Sequence, residues 1–228
     1  DDPATYRAAL EGSDAVFYTH PLQSREDRSK LAGAIGRAAT EVGAKRFVWN
    51  TSSWIPDKPG EAHTYAGNTA GINELWRSGV PATIFGSVLF MDNLLTNWAR
   101  PFILHESRYV YPHKARLEAN WISLDDVGKI MVAALDRPDL EGAWMNIGGP
   151  QRLKPPEVAA TLSQVFGRDI KYDPCTPEEF GDLLVAALGD SVADEMREPL
   201  STGIAAFYHY NNTAPTQPFK VNTDYMQE

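Results

Sequence analysis

Three polar clusters in this chain follow directly on apolar runs. Thr19-His20-Pro21 closes the run that begins at Asp14, Asn50-Thr51-Ser52-Ser53 closes the run from Arg46, and Phe85-Gly86-Ser87-Val88 closes the run from Pro81. Hydroxyls, an amide and an imidazole so placed suit a ligand at the carboxyl ends of parallel strands, and they equally suit the capping of turns and helices. Tyr65 and Thr69 lie one helical turn apart, which puts a phenol and a hydroxyl on one face. Tyr65 is a candidate proton donor, but with no neighbouring cation its pKa stays near the ordinary value of about 10. Asn68 is the nearest other polar group, and His63 reads as a polar residue at a helix start. Trp54 follows Ser52-Ser53 in a loop and, with Phe90, Met91 and Tyr111, could wall a substrate pocket. The remaining indoles, Trp49, Trp76, Trp98, Trp121 and Trp144, read as core. Asp125-Asp126 reads as a helix cap, and Glu178, Glu179 and Asp182 as a solvated face.

The elements that must position these groups alternate. The spacing predicts a helix over Tyr6–Leu10 stopped by Gly12, a buried strand over Asp14–Thr19, and an amphipathic helix over Ser24–Val42 stopped by Gly43. A strand over Arg46–Thr51, a Pro-containing loop over Ser52–Gly60, a helix over Ala62–Ser78 and a strand over Pro81–Phe85 follow. Strands separated by helices argue for parallel βαβ crossovers and a doubly wound sheet. Beyond Phe90 the period loosens. A helix over Asp125–Leu135 capped by Ser123, a strand over Ala143–Ile147, helices over Lys154–Phe166 and Pro177–Leu188 and a short strand over Ile170–Tyr172 are expected there. Thr223-Asp224 reads as a fresh cap with little helix after it. The chain also opens at Asp1 without a methionine, so a fragment is expected.

Composition narrows the partners. The 228 residues carry 21 Lys and Arg against 30 Asp and Glu, a net charge of −9, which disfavours a direct nucleic-acid partner. Cys175 is the single cysteine and no Cys/His cluster has metal-ligand spacing, so neither an internal disulfide nor a metal is expected. No apolar window approaches about 18 residues and the N-terminus has no signal core, which makes a cytoplasmic location the simplest expectation.

The order Ala9-Leu-Glu-Gly-Ser-Asp-Ala-Val-Phe17, Gly43-Ala-Lys-Arg-Phe-Val-Trp-Asn-Thr-Ser-Ser53, Arg77-Ser-Gly-Val-Pro-Ala-Thr-Ile84 and Phe90-Met-Asp-Asn-Leu94 resembles the NmrA-like family of atypical short-chain dehydrogenases. Ile122-Ser-Leu-Asp-Asp-Val-Gly128 and Gly148-Gly-Pro-Gln-Arg-Leu153 resemble that family's later landmarks. The resemblance implies an α/β, Rossmann-like doubly wound parallel sheet with a smaller α+β substrate lobe in the C-terminal half. Residues 1–100 would be the NAD(P)-binding core without its first βα units and glycine-rich turn, and 101–228 the lobe, with 122–150 returning to the core sheet.

By the same resemblance Thr19, His20 and Pro21 line the adenosine and ribose side of NAD or NADP. Asn50, Thr51, Ser52, Phe85, Gly86 and Ser87 flank the nicotinamide, where Gly86 opens space, and Ser53, Trp54, Phe90, Met91 and Tyr111 meet the substrate. Related dehydrogenases pair a tyrosine with a lysine one turn later. Here Tyr65 is followed by Thr69, which can bond a ribose without supplying charge. Two activities follow: hydride transfer between nicotinamide and a small or medium organic substrate, or redox sensing through contact with a regulatory protein.

Overall fold

The computed structural model describes residues 3–21, 27–57 and 63–224. Two compact units divide the chain, one of Asp1–Val88, Leu124–Gly148 and Asn222–Glu228, the other of Leu89–Ser123 and Gly149–Val221. The first unit therefore gives way at Val88, and the segments that rejoin it are 124–148 and 222–228.

In the first unit α1 (Pro3–Leu10), β1 (Ala15–Thr19), α2 (Arg28–Glu41), β2 (Arg46–Asn50), α3 (His63–Arg77) and β3 (Ala82–Ser87) alternate. After β3 the chain leaves and returns as α4 (Leu124–Ala133) and β7 (Trp144–Ile147). The sheet order is β1-β2-β3-β7, every neighbouring pair parallel, with Val16 beside Phe47, Val48 beside Thr83 and Phe85 beside Met145. Every residue of β2 and β3 is buried, as continuous apolar strands covered on both faces must be. Phe47, Trp49, Ile72, Leu75 and Ile84 form the centre of the core. Gly43 and Gly79 stand at φ +76° and +79° just after α2 and α3, the left-handed turn that lets each helix drop into the next strand.

As described, α2 begins at Arg28, where Asp27 accepts from the backbone N–H groups of Ser29 and Lys30 and so fixes the first turn. Residues 22–26, including the expected start at Ser24, lie outside the described residues. So do the side chains of His63 and Thr64 and the chain beyond Asp224, where the helix expected after Thr223-Asp224 would run.

The second unit holds β4 (Leu89–Phe90), β5 (Arg108–Tyr111), β6 (Ala119–Ile122), β8 (Arg152–Leu153) and β9 (Lys171–Pro174), with α5 (Pro155–Phe166), α6 (Pro177–Leu188) and α7 (Asp194–Asn211). β6 pairs parallel with β4 and antiparallel with β8, and β5 pairs parallel with β9. Its core is aromatic. Tyr111 packs on Trp98, Trp121, Phe180 and Tyr208 at centroid distances of 5.2–6.0 Å. α7, 18 residues long, has no counterpart in the sequence reading; it carries Pro199 and Gly203, both unfavourable inside a helix. Docking on α6 overrides them. A Cβ at Gly181 of α6 would stand 2.5 Å from the Ser201 carbonyl, so only glycine lets the two helices approach so closely.

The expectation that every other indole is core fails at Trp76, which is 37% exposed on the outer face of α3. Among the described residues no helix is long and apolar enough to cross a membrane, and no group of three or more His, Cys, Asp or Glu could hold a metal.

Candidate functional site

The carboxyl ends of β1, β2 and β3 are adjacent in one sheet, so Thr19-His20-Pro21, Asn50-Thr51-Ser52-Ser53 and Phe85-Gly86-Ser87 come to the same edge of the first unit. Their side chains divide into a floor and an exposed rim. Asn50 and Ser87 are buried, and the Ser87 hydroxyl donates to Asn50 Oδ1 at 2.8 Å, while the same oxygen accepts the Ser52 N–H at 3.0 Å. The second bond bends the chain into an Asx turn that holds Ser52, a non-glycine residue, at φ +56° and leaves it exposed. Thr51 is buried as well, its hydroxyl donating to the Ser53 carbonyl at 2.6 Å. Phe85 is core. The rim that a ligand could touch in this unit is therefore Thr19, His20 and Pro21 with Ser52 and Ser53.

Gly86 corrects an expectation. It does not open space: a Cβ there would collide with Asn146 Oδ1 and lie 3.0 Å from Ile55 Cγ1. The Asn146 amide fills that volume, accepting from the Ile55 N–H at 2.7 Å and donating to the Ile55 carbonyl at 2.9 Å. Glycine is needed so that the β2–α3 loop can clamp onto β7.

A polar cluster that the sequence reading largely missed stands beside the rim. Arg28, in the first turn of α2, donates to Asn68 Oδ1 on α3. Asn68, 1% exposed, spends both amide hydrogens on Ser53 Oγ at 2.8 Å and the Trp54 carbonyl at 2.9 Å. The aliphatic stem of Arg28 crosses α3 at two glycines one turn apart, its Cδ 4.0 Å from a Cβ built at Gly67 and its Cγ 3.5 Å from one at Gly71. Both distances are ordinary contacts; what excludes a side chain at Gly71 is the Trp49 indole, 2.6 Å from a Cβ built there. Among the described residues Arg28 has no carboxylate partner, and burial lowers its pKa, the nearby Tyr18 acting the other way.

Tyr18 Oη and His20 Nδ1 are hydrogen-bonded at 3.0 Å. Burial pushes the Tyr18 phenol up to about 12, so it stays protonated and donates, and the imidazole then carries its own proton on Nε2. Burial, with Arg28 adding, lowers the His20 pKa. At neutral pH the rim thus presents a half-buried guanidinium, an imidazole and hydroxyls, a set of donors suited to anionic or hydroxyl-bearing groups.

Tyr65 is 1% exposed, with its ring edge-on to Trp54 at 5.3 Å and 80°. Trp54 is buried too, so its role as a pocket wall does not match its position: the indole covers Tyr65. Thr69 is half-buried on the same face. Of the residues expected to meet substrate, Phe90, Met91 and Tyr111 belong to the second unit. Met91 is 44% exposed and Phe90 half-buried, but Tyr111 is 0% exposed in the aromatic core and offers a substrate no surface.

A parallel sheet flanked by helices, with polar residues gathered at the carboxyl strand ends, defines a Rossmann-like α/β unit. The model of the NmrA-like family matches residues 1–220, and the chain belongs to that family. It is 32% identical over 199 residues to the NAD(P)H azoreductase of Xenophilus azovorans, a match that covers 86% of this chain and 67% of the azoreductase. Its fold is similar to that of Citrobacter sp. triphenylmethane reductase complexed with NADP(H), with a TM-score of 0.73 at 16% identity over 99% of this chain and 75% of the reductase. It is also similar to NmrA, a negative transcriptional regulator, in complex with NAD, with a TM-score of 0.66 at 14% identity over 96% and 79% of the two chains.

Proposed function

We propose that this protein is an NAD(P)H-dependent reductase of small or medium organic compounds, with its nicotinamide cofactor held at the carboxyl ends of β1, β2 and β3. The observation that carries this reading is Arg28, a half-buried cation with no carboxylate partner among the described residues, placed beside a rim of exposed hydroxyls. A guanidinium in that state retains donors for an anionic or polyhydroxylated ligand. Thr19, His20, Pro21, Ser52, Ser53 and Arg28 would hold the dinucleotide, and Asn50, Thr51, Phe85, Gly86 and Ser87 would shape the floor beneath it. Thr69 would bond the ribose. When bound, the reduced cofactor supplies a hydride.

The proton that must accompany the hydride is assigned to Tyr65. Tyr65 and the Trp54 packed edge-on to it are both buried, so a substrate meets the phenol only after a movement that exposes it, and Ser53-Trp54 is the segment that Asn68 holds. Arg28 thus acts on two elements at once. It offers charge to the ligand and, through Asn68, fixes the loop that covers the proton donor. The relationship to the azoreductase supports a reductase acting on conjugated organic compounds.

The burial of Tyr65 favours a second reading, a dinucleotide-binding sensor without turnover that works through a partner protein. Titrating NADH and NADPH against the chain by nicotinamide fluorescence, then following dinucleotide oxidation with an azo dye present, separates the two. Dye-dependent oxidation supports the reductase and binding without oxidation supports the sensor; because the resemblance places the glycine-rich turn outside residues 1–228, both measurements are made on a protein that carries that turn, where absence of binding overturns both.

A further inference from the structure

The second unit carries a cleft of about 340 Å³ between the turn after β5 and the end of α7. Asn212 fixes its geometry, accepting from the Lys114 N–H at 2.8 Å and donating to the Pro112 carbonyl at 2.7 Å. One side is apolar. Phe219 is buried there with its ring 5.2 Å from that of His113, and its carbonyl accepts the Asn120 N–H at 2.9 Å. Asn120 also accepts the Val221 N–H at 3.1 Å, so the segment bearing Phe219 is held on both sides of that ring.

The charge at this cleft opposes that of the chain. Overall there are 21 basic residues against 30 acidic ones, yet the lining holds Lys114 and Arg116 against one carboxylate, Glu118. Glu118 is already committed to Lys220 at 3.0 Å, and Lys220, followed by Lys154 and Arg152, holds it below the usual carboxylate range. Among the described residues the side chains of Lys114, Arg116 and Gln217 have no hydrogen-bond or ion-pair partner. All three line the same cleft. Gln217 sits on left-handed backbone at φ +48°.

Cations beside the end of a helix ordinarily compensate its terminal carbonyls. Here those carbonyls are engaged: Tyr208 accepts from the Asn212 N–H, Tyr210 from the N–H groups of Thr213 and Ala214, and His209 from the Thr213 hydroxyl, all at 2.8–3.0 Å. The free cations thus face a shaped, half-apolar cavity of a size ordinary for small ligands.

We propose that this cleft binds a small organic anion, with a carboxylate, sulfonate or phosphate group on Lys114, Arg116 and Gln217 and an aromatic or alkyl body against Leu117 and Pro215. The site lies wholly within the second unit and does not depend on the dinucleotide reading.

Naphthalene-2-sulfonate titrated into the intact chain, with affinity from calorimetry and location from amide and arginine side-chain NMR shifts, tests the assignment. Naphthalene-2-methanol supplies the body without the charge, and inorganic sulfate the charge without the body. The sulfonate should bind at least about tenfold more tightly than either and shift the signals of Lys114, Arg116 and Gln217. The double variant Lys114→Ala, Arg116→Ala should weaken it about tenfold or more while leaving the melting curve unchanged, because both side chains are exposed. If that variant melts differently, Gln217→Glu places a carboxylate in the cleft and should weaken binding as well. Undiminished affinity in the double variant, or in Gln217→Glu where that is the variant used, overturns the assignment. So do shifts that map elsewhere, a neutral alcohol that binds as tightly as the sulfonate, or sulfate that does so.

Discussion

The guanidinium of Arg28 bonds the side-chain carbonyl of Asn68, forty positions away, and through it α2 grips the loop after β2. A helix lysine in the related dehydrogenases would bring charge from α3 itself. In this chain the cation nearest the equivalent helix is Arg28, on the neighbouring helix, its stem packed against Gly67 and Gly71.

Arg28→Met keeps the stem against those glycines and removes the charge. Dinucleotide affinity should fall about tenfold or more, the scale of one lost hydrogen bond to a charged group. Fluorescence titration of NADPH measures it, and Arg28→Lys should recover part of the loss. Affinity equal to the parent in Arg28→Met would remove Arg28 from the site.

Tyr65→Phe keeps the edge-on contact with Trp54 and deletes the hydroxyl. Turnover with an azo dye should drop by ten- to a thousandfold, in the range typical of a positioned acid, with dinucleotide affinity within about twofold of the parent. Undiminished turnover would mean that the proton comes from water or another residue.

Gly86→Ala forces a methyl group into the space held by Asn146 and Ile55. Overpacking of this kind costs about 1–3 kcal/mol, read as a lower urea midpoint with an unchanged slope. Combining it with Asn146→Ala, which vacates the space but breaks the clamp, should cost less than the sum of the two single changes. Full additivity would show that the two side chains do not compete for that volume.

His113 sets an acid limit. Burial among aromatic rings lowers its pKa from 6.5 to about 3, so at pH 7 it is neutral in both folded and unfolded chains. As pH falls below 6.5 the unfolded chain takes up a proton that the folded chain refuses until about pH 3, and stability declines through that window. The slope is about 1.4 kcal/mol per pH unit. His113→Phe should remove that part of the decline, so urea denaturation of the two proteins should converge or cross between about pH 6 and 4. Parallel pH profiles would show that His113 is not the group responsible.

The alternation of apolar runs with helical periods was enough to order the first unit, because a strand buried on both faces is apolar at most positions and a crossover helix must show a 3.6-residue stripe. The polar residues closing β1, β2 and β3 were visible for the same reason: they stand where the apolar run stops. Which of them face outward was not visible. Asn50 and Ser87 look like ligand residues in sequence and turn out to bond each other, while Ser52 is pushed out by an Asx turn. In the second unit the helices α5 and α6 and the strand β9 were legible, whereas the other strands, of two to four residues, are too short to show a period and α7 carries Pro199 within it. Tyr111 and Trp54 were placed against a substrate on residue type alone, whereas each is buried by neighbours distant in sequence. Local pattern determines which segments are helix or strand, because that depends on residues a few positions apart. The meeting of Arg28 with Asn68 depends on how two helices pack, and only the tertiary structure decides it.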